Sequence, residues 1–147
     1  MNNVTENAAQ QITNLLVNIA DLLPGYLANE EDMAKGNGNV AVCIIDTKGN
    51  VYGKIFGDDK IRGREAYRVA WMKASQAWIT GIKTGEFEKL AFTNEIDDKK
   101  FGIRRPDFIG WEGGQPLQLK SGLIIAAGVS GMTSGSDLEI VTKACSL

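Results

Sequence analysis

Lys73, Glu112 and Ser130 are the side chains through which this chain, which contains no histidine, could bind anions or move protons. Lys73 stands in the spacing Ala66-x3-Ala70-x2-Lys73-Ala74-x2-Ala77, one face of a helical period. There its ammonium would be partly desolvated and open to an anion or a carbonyl, or would reach past the packed face to water. Glu112 lies beside Trp111 and directly before Gly113-Gly114. A tryptophan wall can raise a carboxyl pKa and make the group a usable acid or base; an ordinary loop charge would read the same way. Lys73 and Glu112 are therefore the catalytic candidates.

The ligand-binding candidates surround these two in the sequence. Ser130 ends an apolar run and precedes a glycine turn before a helix start at Ser136-Asp137, where backbone N–H groups and one hydroxyl suit an anionic ligand group; it could equally cap the turn. Met132 follows that turn, either at a pocket mouth or filling irregular core space. Arg64 and Arg68, one turn apart, could clamp a carboxylate or be solvated surface charge. Arg104 and Arg105, before Pro106, suit a lid, a subunit contact or a planar carboxylate. Trp111 and Gly114 complete the set. Gly113, Gly114 and Gly128 also meet backbone needs, through positive φ or close approach.

The absent imidazole restricts the chemistry. A Ser–His–Asp or Cys–His nucleophile system is excluded. Two isolated cysteines cannot build a closed zinc site, and no EF-hand spacing is present, so no metal ligand is assigned. The commonest haem-iron ligand is missing, which leaves Met72, Met132, Cys43, Tyr52, Tyr67 or a lysine as substitutes. No Walker or dinucleotide glycine loop occurs.

These residues need elements to hold them. Apolar positions Ile12, Leu15, Leu16, Ile19, Leu22 and Leu23 predict a helix over 4–23, capped near Thr5 and ended by Pro24-Gly25. A short helix over 26–35 follows. Residues 40–45 read as a buried strand containing Cys43, and 51–56 as its hairpin partner across Asp46-Thr47-Lys48-Gly49-Asn50. The central helix spans 64–84, and its alanine stripe permits close approach to a sheet. Residues 93–110 read as a long polar loop. A second hairpin joins 115–120 to 123–129 through Ser121-Gly122, and a last helix covers 136–144, capped by Ser136 or Ser134. Two hairpins separated by a helix favour an α+β fold, an antiparallel sheet with helices laid against it.

At 147 residues the chain is expected to form one domain, a helical segment over 1–37 preceding a core over 38–147. A net charge of −2 gives no electrostatic reason to expect nucleic acid or a membrane surface as partner. No window approaches ~18 continuous apolar residues, so no membrane span is expected. The amino terminus lacks a basic start and apolar run, and two cysteines read as reduced thiols, which together predict a cytoplasmic protein. Trp71, Trp78 and Tyr67 lie off the alanine stripe of the central helix. One sheet cannot bury both sides of that helix, so homo-oligomerisation is expected.

The hairpin over 42–57, the alanine-rich segment containing Lys73, and the block Gly113-Gly114-x-Pro116 with Gly128-Val129-Ser130-Gly131 and Asp137 together resemble the haem-degrading HbpS-like and GlcG-like family. The likeness spans roughly 38–144. It implies a profilin-like fold, a five-stranded antiparallel sheet flanked by helices and assembled into dimers or larger rings. Four strands are legible, so the resemblance asks for a fifth, within 92–112. It also implies links to haem binding and breakdown, to glycolate-utilisation operons and to cobalamin-dependent diol metabolism.

Two functions stay open at this level. The resemblance favours a small-molecule-binding protein of the haem or tetrapyrrole-handling class. The residues favour a metal-free, cofactor-independent enzyme, an isomerase, lyase or cyclase, acting on a small carboxylate-bearing molecule. A scaffold protein with only an apolar interface is the third possibility.

Overall fold

Strand β1 (Val40–Asp46) is buried along its whole length, and its alternating residues divide the core into two layers. Val40, Val42 and Ile44 face helices α1 (Ala8–Leu27) and α5 (Ser134–Cys145), packing with Ile12, Leu15, Ile19, Ile140 and Val141. Ala41, Cys43 and Ile45 face helix α3 (Lys60–Thr80) through Ala66, Ala70 and Ala74. Each fully buried branched aliphatic contributes about 1.5–3 kcal/mol relative to exposure.

The computed structural model describes residues 7–93, 95–103 and 112–147. Between the elements already named lie α2 (Glu30–Gly36), β2 (Val51–Phe56), α4 (Thr84–Phe92), a 3-10 turn (Asp98–Phe101), β3 (Gly114–Gln118) and β4 (Ile124–Ser130). The strands form one antiparallel sheet in the order β2-β1-β4-β3. The α+β architecture is the one expected. Asp46 closes the first hairpin, its carboxylate accepting the amides of Lys48 and Asn50, each at 2.9 Å. Pro116 sits on β3, an edge strand, where its missing N–H interrupts no central ladder.

Four strands appear among the described residues, one fewer than the resemblance implied. The stretch expected to hold the fifth instead contains the end of α4 and the 3-10 turn; residues 104–111 lie outside the described residues. Other boundaries also move. Helix α1 does not stop at Pro24-Gly25 but runs to Leu27, with the Ala28 amide donating to the Pro24 carbonyl at 3.1 Å. A proline loses its own N–H donor and crowds the carbonyl four residues back, a cost offset here by Leu22, Leu23, Tyr26 and Leu27, which pack on the core around it. The α1 cap is Asn7, while Thr5 lies outside the described residues.

Helix α3 starts at Lys60 because the Asp59 carboxylate accepts the Ile61 and Arg62 amides at 3.0 and 3.1 Å. It ends at Gly81, which takes the left-handed conformation (φ 70°), so α4 is a separate helix that the sequence reading did not assign. Helix α5 begins at Ser134 with Thr133 as N-cap, rather than at Ser136.

The alanine stripe of α3 lies directly over β4. A Cβ at Gly128 would collide with the Ala70 carbonyl and would come within 2.6 Å of the Ala74 amide nitrogen. Helix and strand therefore touch backbone to backbone, and this close approach sets where Lys73 projects.

Candidate ligand-binding site

Beside Gly128 the aliphatic stem of Lys73 crosses the sheet, and its ammonium turns inward rather than out to water. Lys73 is 2% exposed and donates to the Val129 carbonyl at 2.8 Å and to Asp137 Oδ2 at 3.3 Å. Asp137, 3% exposed, stands in the first turn of α5, and its Oδ1 also accepts the Met132 amide at 3.1 Å. Gly113 closes over the pair at φ 121°, where any Cβ would lie 2.9 Å from the Lys73 ammonium and 3.0 Å from Asp137 Cβ. Burial pushes the Asp137 carboxyl up to about 7, against the opposing pull of Lys73 and the Met132 amide. Burial likewise lowers the Lys73 amine, offset in part by Asp137.

A second carboxylate completes the turn between β4 and α5. Asp32 of α2 accepts the Thr133 amide at 3.0 Å, the Thr133 hydroxyl at 2.7 Å and the Ser136 hydroxyl at 2.8 Å. Burial alone would raise its pKa, but the Thr133 and Ser136 hydrogen bonds outweigh it and hold the carboxyl below its ordinary value. Two consecutive amides, Met132 and Thr133, are thus held by carboxylates of the protein itself. The anion seat expected at this helix start is in part internally filled.

Around this turn a cavity of about 670 Å³ is lined by Glu31, Lys35, Lys73, Ser130, Gly131, Met132, Thr133, Ser134 and Asp137. A second cavity of about 390 Å³ shares Lys35, Ser130 and Gly131 with it and extends to Asn39, Arg62 and Glu65. The two form one cleft across the carboxy end of β4. Hydroxyls and charges of both signs line the larger part, an arrangement able to orient a small polar ligand, while Ala66 and Val69 add apolar wall in the smaller part.

The sequence candidates divide around this cleft. Lys73, Ser130 and Met132 come together in it, although the Met132 side chain is only 5% exposed and belongs to the apolar core. Glu112 does not join them: it is exposed and lines a different cavity of about 530 Å³, with Lys83, Glu86, Lys89, Glu95 and Gly114. Gly114 is buried, its amide donating to the Thr84 hydroxyl at 3.3 Å. Arg64 is exposed and is not among the residues lining the cleft. Arg68 pairs with Glu65 at 2.6 Å and contacts the Met72 sulfur at 3.3 Å. Arg104, Arg105 and Trp111 lie outside the described residues.

Asp137, Asp32, Lys35 and Arg62 were missed as site residues. Asp137 had one local signal, an acidic residue at a helix start, which also reads as a dipole complement. Asp32 follows Glu30 and Glu31 in an acidic first turn, so nothing local marks the one that reaches across the fold. Among the described residues, no group of three or more acidic, cysteine or histidine side chains is placed to hold a metal ion. No described helix is long and apolar enough to cross a membrane.

Solved structures share this fold at low identity. A Klebsiella pneumoniae protein, ORFY, matches at 16% identity and TM-score 0.61, over 99% of this chain and 94% of its own. PduOC, solved as a haem complex, matches at 19% and 0.59, over 90% of each chain. A double mutant of HbpS from Streptomyces reticuli matches at 18% and 0.58, over 99% of this chain and 89% of its own. Among curated proteins none matches. Residues 25–146 match the family described as haem degrading protein HbpS-like, and the chain belongs to that family.

Proposed function

We propose that this is a small-molecule-binding protein and that its ligand sits in the cleft at the carboxy end of β4. The observation that carries the reading is the convergence of Lys73, Asp137, Ser130, Thr133 and Ser134 on one cavity large enough for a small ligand. Family membership and the haem complex of PduOC support a small-molecule role in general.

An iron porphyrin does not fit the part of this cleft around Lys73 and Asp137. The wall there is mostly polar, whereas a porphyrin plane needs apolar faces, and among the described residues lining it Met132 is the one side chain with a soft donor atom. The Met132 side chain packs among Ile and Val residues of the core. The cleft instead suits a small molecule bearing hydroxyl and carboxylate groups. Self-association is part of the same proposal, supported by Trp71 and Ile79, each nearly half exposed on α3.

Thermal-shift titration of the purified protein against haemin, cobalamin and small hydroxy acids tests this reading, with Ser130→Trp as a variant that blocks the cleft. A hydroxy acid that stabilises the protein, and fails to stabilise the blocked variant, is the expected result. Haemin binding that survives Ser130→Trp, with no response to the polar ligands, would overturn the cleft as the ligand seat.

A further inference from the structure

We infer that the cleft takes a small carboxylate together with one proton, which the Lys73–Asp137 pair holds. The inference rests on the cleft being the ligand seat. Its geometry starts from the two internal carboxylates of the β4–α5 turn. Asp137 occupies the Met132 amide and the Lys73 ammonium; Asp32 occupies the Thr133 amide. A ligand carboxylate entering beside Ser130 and Thr133 therefore meets Lys73, the one cation buried in the cleft wall among the described residues, already matched by an anion.

The charges facing Asp137 leave the ligand little other compensation. From α3 comes Lys73; from α2 come Glu31, Asp32 and Lys35; among the described residues leading into β3 the one charge is Glu112, which lies in the other cavity. Arg62 and Glu65 of α3 line the far part of the cleft, and each is already paired, with Asp59 at 3.9 Å and with Arg68 at 2.6 Å. With Asp137 ionised, this group is three acids against two bases. Protonating Asp137 leaves Lys73 with an unmatched positive charge toward the cavity, and the ligand carboxylate then takes its place as counter-ion. Asp137 is able to take that proton near neutrality because its burial already favours the neutral carboxyl.

Binding and proton uptake are then linked: affinity for a carboxylate falls as pH rises through about 7. With the free carboxyl half-protonated at about pH 7, uptake rises from about a tenth of a proton per ligand at pH 6 to about nine-tenths at pH 8, a loss of affinity of roughly tenfold. Glycolate is the probe, because it pairs a carboxylate for Lys73 with a hydroxyl for Ser130 or Thr133, and glycolamide is its uncharged control. Amide chemical-shift titration of residues 130–137 at both pH values gives the affinities. Calorimetry in two buffers of different ionisation heat counts the proton.

Glycolate shifting the cleft amides, with the tenfold loss, close to one proton taken up per ligand at pH 8 but only about a tenth at pH 6, and no pH effect on glycolamide, is the expected result. Glycolate binding in the cleft with equal affinity at both pH values and no proton uptake overturns the inference while leaving the ligand seat intact. Cleft amides that glycolate does not move overturn the carboxylate class, and the ligand seat is then judged by the Ser130→Trp comparison. Asp137→Asn, if folded, should give a glycolate affinity that no longer varies with pH, and a pH profile equal to the parent's overturns the inference. The proton count on the unmodified protein decides the matter if that variant does not fold.

Discussion

The Asp32 carboxylate takes both the backbone amide and the hydroxyl of Thr133, at 3.0 and 2.7 Å, across a sequence separation of 101 residues. Thr133 is the N-cap of α5, yet its own side chain caps nothing within the helix. Asp32 instead ties Thr133 and the Ser136 hydroxyl to α2, and this fixes the start of α5 against the wall of the cleft.

Asp32→Ala is expected to destabilise the protein by roughly 2–4 kcal/mol, since three hydrogen bonds to a charged acceptor are lost at a buried site. Denaturant unfolding measures the change. The lowered pKa means that Asp32 contributes stability above the ordinary carboxylate pKa and loses it as pH falls through the folded value. An Asp32→Ala protein should accordingly lose less stability than the parent on acidification.

Removing one member of the Lys73–Asp137 pair should cost about 3–5 kcal/mol, because the other charge is left buried alone. Lys73→Met combined with Asp137→Leu should be less damaging than the two single changes added together. A double-mutant cycle by denaturant unfolding reads the coupling. A cycle that sums with no coupling would show the two groups to be independent.

The pair also sets a pH dependence of stability. Asp137 has a folded pKa raised to about 7 by burial, so its contribution is complete below the ordinary carboxylate pKa and is lost as pH rises through about 7. Melting temperatures between pH 5 and pH 8 should fall more steeply in the parent than in Lys73→Met/Asp137→Leu.

Gly128→Ala is expected to cost at least about 2 kcal/mol, since the new methyl meets the backbone of Ala70 and Ala74, which no rotamer change can move aside. The same substitution at Gly25, where a Cβ meets nothing within 4 Å, should be tolerated. Thermal unfolding of the two variants makes the comparison.

Self-association through α3 predicts that Trp71→Glu shifts the protein toward monomer in sedimentation velocity, because Trp71 is 47% exposed on that face. Trp78 is the less suitable probe. Its indole N–H donates to the Asp46 carbonyl at 2.9 Å, so changing it also disturbs the first hairpin.

Period and turn chemistry made much of the fold legible beforehand. The apolar run of β1, the Asp46 turn and the alanine stripe around Lys73 are local patterns, and each appears as read. The misplaced helix boundaries have local physical causes too. Pro24 sacrifices one donor inside a helix that is otherwise held by core packing. Asp59 caps α3 a full turn before the expected start. These were competing signals of similar strength, and packing chose between them.

The candidate site was legible only in part. Lys73 and Ser130 were found because a lysine among alanines and a serine ending an apolar run are each anomalous within their own segments. The absence of imidazole, read directly from the residues, already confined the chemistry to carboxyl, amino, hydroxyl, guanidinium and sulfur groups. Pairing was another matter. Lys73 meets Asp137 across 64 positions and Thr133 meets Asp32 across 101, while Glu112 turns to a separate cavity. Which charges neutralise one another depends on distances of 3 Å, and chain order carries no information about distances between segments brought together only by the sheet and its two helical layers.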